Sequence, residues 1–182
     1  MRITFELEPD DIARFHAALE RAERLAHTMD ECDVVDTAKE ALNALPIGGA
    51  PSYVRQRLVA VQRMILMLED EDWALPAAER LEVLRTLVYF ADPEDMIPDH
   101  VEVIGLLDDA IMLELLLRRL KHVMQAYDDF CSFRATFADA GDPAARHARG
   151  VALARKRDAL RVRMRRRLEK TAVASETGAV LR

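Results

Sequence analysis

The sequence predicts an all-α protein of about six helices, and three observations carry that expectation. Glycine (6) and proline (7) are scarce in 182 residues, and the rest is rich in Ala, Leu, Glu and Arg, which favour helix. Apolar residues recur at helical spacing along most of the chain. The prolines at 9, 51, 76 and 143 fall where those periodic segments begin, which is where a helix accepts them.

The elements follow in order. "RITFEL" alternates Ile3, Phe5 and Leu7 against Arg2, Thr4 and Glu6, a short strand pattern with no evident sheet partner in the rest of the chain. It is expected to pair with the same segment of a second subunit, or else to staple the first helix. Pro9, Asp10 and Asp11 open that helix, and Ile12, Phe15, Leu19, Ala22 and Ala26 form its stripe. "TMDECD" breaks the pattern. Val34, Ala38, Ala41 and Leu45 mark a second helix, closed by "PIGGAP". A third starts near Pro51, with Val54, Leu58, Val61, Ile65 and Leu68 in register. After the acidic connector "EDEDWALP", a fourth starts at Pro76 with Leu81, Leu84 and Val88 inward. A long helix spans about Leu106 to Phe137. Its polar side carries Glu114, Arg118, Lys121, Gln125, Asp128 and Ser132. Arg119 and Arg134 fall on its apolar arc, where one of them is expected to meet an acid across the core; otherwise they mark a surface buried only in an oligomer. "DAGDP" stops it, and a last helix runs from Ala144 to about Lys170.

Charge divides the chain. Residues 1–145 hold 14 Lys/Arg against 29 Asp/Glu, a net of −15. Residues 146–182 hold 12 against 3, a net of +9. The expected organisation is an acidic helical domain over 1–142, a basic helix over 143–170 and a frayed tail over 171–182. No apolar run approaches the roughly 18 residues that a spanning helix needs, and "MRITFELEPDD" has no apolar core of a secretory signal. Two lone cysteines, Cys32 and Cys131, fit reduced thiols, so the expected location is the cytoplasm.

Between the fourth and fifth helices lies "YFADPEDMIPDHVEVIGLLDDA", with two prolines, a glycine and seven carboxylates. Asp92-Pro93 reads as a cap followed by proline at the first helical position. Pro98 stops that turn, because the residue before a proline avoids the α region. Asp95, Asp99, Asp108 and Asp109 are the candidate metal set. Carboxylates from a turn and a helix start suit Mg²⁺, Mn²⁺ or Ca²⁺. The competing reading is that these acids cap helices and bind backbone N–H groups, so that no cofactor is required. The spacing does not match a calcium-binding helix–loop–helix. Paired carboxylates also suit acid–base catalysis, but no nucleophile or phosphate loop accompanies them.

"DPEDMIPDHVEVIGLLDDA" resembles the signature of the YkvA family, the domain of unknown function 1232. The matching positions are Pro93, Asp95, Ile97, Pro98, Asp99, Gly105, Asp108 and Asp109. The resemblance covers about residues 81–119. It implies a helical hairpin and no established activity. This chain has Glu102 where the family often has a further proline. It also carries Glu114, Arg118 and Arg119 where many members are hydrophobic, so the resemblance does not extend to membrane attachment.

The last helix contains "ARKRDALRVRMRRRLEK". Leu153, Leu160, Met164 and Leu168 form a narrow stripe among cations. Arg155, Lys156, Arg157, Arg161, Arg163, Arg165, Arg166 and Arg167 are the candidate anion-binding set. They suit an acidic surface of the same chain or of a partner subunit. Nucleic acid and an anionic membrane surface are the alternatives, against which stands the lack of aromatics along the helix. The expected function is that of a non-catalytic interaction or scaffold protein that forms homo-oligomers. A divalent-metal enzyme at the acidic turn is the second expectation.

Overall fold

The structure, a computed structural model, describes the backbone of residues 9–45, 51–92, 105–137 and 142–180; side chains are described for all of these except 10–12, 105–112 and 174–180. Among the described residues there are six helices and no strand. They are α1 (Pro9–Thr28), α2 (Glu31–Ala44), α3 (Ser52–Glu69), α4 (Ala77–Phe90), α5 (Gly105–Arg134) and α6 (Pro143–Val180). The fold is all-α. The alternating segment at 1–8 lies outside the described residues.

Local chemistry sets several boundaries. Asp30 caps α2, its side chain accepting the Cys32 N–H at 2.9 Å. Pro76 stands at the N-cap of α4, with extended backbone. Asp142 takes the Ala144 N–H at 3.3 Å at the start of α6. That last helix runs through to Val180, past the expected end near Lys170. Between Lys170 and Gly178 the sequence offers neither glycine nor proline to stop it.

The chain forms two compact units, residues 1–69 with 75–118 and residues 70–74 with 119–182. In this grouping the second half of α5 goes with α6.

In the first unit, α4 touches α1, α2 and α3. That explains a difference from the sequence reading. A helix enclosed on several sides buries more than one stripe. The deepest residues of α4 are Val83 and Leu87, whereas Leu81 is only half-buried. On α3 all five expected positions, Val54, Leu58, Val61, Ile65 and Leu68, are buried, and Met64 and Met67 join them. Leu42, Leu45, Tyr53 and Phe90 pack around Val54 and Leu58.

In the second unit, α5 and α6 run antiparallel. His122 Nε2 lies 3.1 Å from Thr171 Oγ1, Arg167 donates to Gln125 at 3.3 Å, Arg163 pairs with Asp129, and Lys156 lies 5.0 Å from the centre of the Phe133 ring. As the number rises on α5 it falls on α6. Leu153, Leu160 and Met164 supply the buried stripe of α6.

Candidate functional site

Residues 70–74 form a turn that the second unit encloses. The Ala74 N–H donates to the Asp70 carbonyl at 2.8 Å, and the Trp73 N–H donates to Asp70 Oδ1 at 3.1 Å. Ala74 has φ of 43°, a left-handed conformation that L side chains rarely adopt. Trp73 is fully buried, its ring 5.2 Å from that of Phe130 and 5.9 Å from that of Tyr127. Its Nε1 meets no hydrogen-bond partner among the described residues.

Asp70 is the polar centre of this turn. Its side chain is 7% exposed, and it accepts from Tyr127 Oη at 3.0 Å and from Arg134 Nη1 at 2.9 Å. A buried carboxylate is stable only when donors surround it, and these supply the need. Arg134 is therefore the arginine of the apolar arc that meets an acid, while Arg119 is exposed. Burial works against the charge on Arg134, but the Asp70 carboxylate outweighs it and raises the pKa of the guanidinium. Burial pushes the Tyr127 hydroxyl well above the usual phenol range, and Cys131 and Asp70 push it the same way.

The candidate cations of α6 divide into two rows. Arg157 donates to the Asp72 carbonyl at 3.2 Å. Arg161 donates to the carbonyls of Trp73 and Ala74, and its guanidinium lies 5.7 Å from the Trp73 ring centre. With Lys156, Arg163 and Arg167 they form the inner row, which α5 and the 70–74 turn engage. Arg155, Arg165 and Arg166 form the outer row. They are exposed and have no acceptor among the described residues. Helical spacing alone does not separate the two rows. A single tryptophan beside Asp70 and Asp72 in the acidic connector is the signal that marks this turn.

In the first unit, arginines hold both sides of the acidic segment. Arg21 of α1 reaches Asp92 through Nε at 2.9 Å and Nη2 at 2.8 Å. Arg57 of α3 pairs with Glu114 of α5 and stacks 3.7 Å from the centre of the Tyr53 ring. Burial of Glu114 opposes its charge, but hydrogen bonds from Arg118 and Arg57 outweigh it and hold the carboxyl below the usual range. Arg80 of α4 joins Glu31 of α2 to the Leu68 carbonyl.

Of the candidate metal set, Asp95 and Asp99 lie outside the described residues, as do the side chains of Asp108 and Asp109. Among the described residues no group of three His, Cys, Asp or Glu is placed to hold a metal ion. No described helix is long and apolar enough to cross a membrane.

Comparison with curated proteins gives no match, and comparison with solved structures gives none. Residues 79–115 match the family model described as protein of unknown function DUF1232. The matched stretch starts at Glu79 in α4 and ends one residue past Glu114, and the arginines that pair with Asp92 and Glu114 within it, Arg21 and Arg57, lie outside it.

Proposed function

We propose that the protein is a non-catalytic helical interaction or scaffold protein of the cytoplasm, and that the outward face of α6 is the surface it offers to a partner. The observation that supports this reading is the division of the α6 cations. The inner row is consumed by the protein's own structure. The outer row is displayed without acceptors among the described residues, interleaved with Asp158 and Glu169 and with the exposed Val151, Val162 and Val173. Exposed valines in a line with charges of both signs suit a helical protein surface better than a phosphate polymer. A phosphate polymer would meet two carboxylates in the same row.

The test is site-specific photo-crosslinking in cells that make the full chain. A benzophenone side chain in place of Val162 should give defined protein adducts. The same group at Val59, exposed on α3, serves as the reference. Adducts equal at both positions, or at neither, would remove α6 as the partner surface.

A further inference from the structure

The outward face of α6 is symmetric in position and opposite in charge about one residue. Val162 lies at its centre. Val151 and Val173 lie 11 residues to either side, Arg155 and Glu169 lie 7 to either side, and Asp158 and Arg166 lie 4 to either side. On a helix of 3.6 residues per turn these positions share one face, opposite Leu153, Leu160 and Met164. Val151, Val162 and Val173 are 39%, 52% and 62% exposed.

We propose that this face is the interface between two copies of the chain, with their α6 helices antiparallel about a two-fold axis at Val162. This rests on the reading of α6 as the partner surface and names the partner. An antiparallel pair centred on residue 162 places Arg155 against Glu169 of the second copy and Asp158 against Arg166 of the second copy. Each charge meets its opposite, and a two-fold axis makes every such pair occur twice. Val151 meets Val173, and Val162 meets itself. Arg165 and Lys170, on the flanks, fall across from Ala159 and Ala154, and Arg161 and Arg163, which share a level in this register, are drawn off the seam by the Trp73 and Ala74 carbonyls and by Asp129. Asp158 also accepts from Arg157 of its own chain at 3.4 Å, yet it remains 67% exposed and has a second oxygen to offer. The seam spans about 33 Å from Val151 to Val173 at 1.5 Å per residue. A parallel pair would stack Arg155 on Arg155 and Glu169 on Glu169, so the charges also select direction.

The experiment measures the mass of the full chain by light scattering and sedimentation up to about 100 µM. A dimer is expected. Arg155→Glu sets two carboxylates against each other at both ends of the seam and should weaken the dimer about tenfold or more. Glu169→Arg should do the same with two guanidiniums. Arg155→Glu with Glu169→Arg in one chain restores opposite charges and should return the affinity to within about threefold. Helicity by circular dichroism separates misfolding from dissociation.

Register has its own readout in a Cys32→Ser background. Val162→Cys should form an intermolecular disulfide on mild oxidation. Val151→Cys should not, because the two copies of residue 151 stand about 33 Å apart.

A monomeric wild type, a dimer indifferent to both single reversals, or equal cross-linking at 151 and 162 overturns the proposal. A monomeric chain that still gives cellular photo-adducts at Val162 with other proteins would sink the second copy alone and leave the partner surface standing.

Discussion

Arg134 and Asp70 lie 64 positions apart in sequence and are joined by a hydrogen bond of 2.9 Å. The pair ties the acidic connector to α5 within the second unit. It also explains why an arginine occupies the apolar arc of a long helix, since the carboxylate it meets is nearly buried.

Removing Asp70 leaves Arg134 with only the longer contact to Asp72, at 3.6 Å. Asp70→Ala should cost about 2–4 kcal/mol, because the Tyr127 hydroxyl, the Arg134 guanidinium and the Trp73 N–H all lose an acceptor. Urea denaturation gives the magnitude. Hydrogen exchange should show faster opening in the second half of α5. A loss under about 0.5 kcal/mol would mean that the contact carries little.

Tyr127 gives the same turn an alkaline limit. Burial holds its hydroxyl protonated well above the ordinary phenol range. A raised pKa in the folded state gives stability that is full below the unfolded value and lost as pH rises past it. The second unit should therefore weaken above about pH 10. Tyr127→Phe should lose about 1 kcal/mol at neutral pH through the missing hydrogen bond to Asp70, yet decline less steeply above pH 10.0. Thermal melts at a series of alkaline pH values test the slope. Parallel declines in the two proteins would exclude Tyr127 as the group responsible.

Glu114 gives the first unit its acid limit. Against its burial, its carboxyl is held below the ordinary carboxylate range by the hydrogen bonds from Arg118 and Arg57. A lowered pKa gives stability that is present above the unfolded value and lost as pH falls through the folded one. Glu114→Gln should cost about 1 kcal/mol near neutrality, through the charge-assisted hydrogen bonds from Arg57 and Arg118. The difference from wild type should shrink below about pH 4. A constant difference across the range would show that the side chain acts by packing alone.

The helices were legible in the sequence because each carries its own signals. Pro51, Pro76 and the α3 stripe act within a turn or two of themselves, so spacing reveals them. The DUF1232 resemblance likewise rested on a local run of residues, and the match at 79–115 agrees with it. The Trp73 turn was not legible. Its partners Tyr127, Arg134, Arg157 and Arg161 come from helices 50 to 90 positions away, and no local periodicity marks such contacts. Arg21 and Arg57 escaped notice for the same reason. Each looks like an ordinary surface cation until Asp92 or Glu114 is brought beside it. The buried side of α4 was only partly read, since a helix enclosed by three others has no single apolar stripe.

The left-handed residue at Ala74 is held against its own preference, between carbonyls that both accept from Arg161. At φ of 43° the Cβ of an alanine crowds the backbone, whereas glycine has none. The Arg161 guanidinium donates to the carbonyls on both sides of the Trp73–Ala74 peptide unit's Cα, fixing their direction. Ala74→Gly should therefore raise stability by about 0.5–1 kcal/mol, the relief of strain exceeding the entropy that glycine adds to the unfolded chain. Arg161→Met should lower it by about 1–2 kcal/mol, leaving the two carbonyls without their donor. The informative quantity is the double variant. With the fork gone, the turn is free to relax toward ordinary φ, so an alanine there is no longer forced. The gain from Ala74→Gly should then fall toward zero in the Arg161→Met background. Equal gains in both backgrounds would show that the turn keeps its conformation without Arg161, and that Asp70 and the local hydrogen bonds fix it on their own.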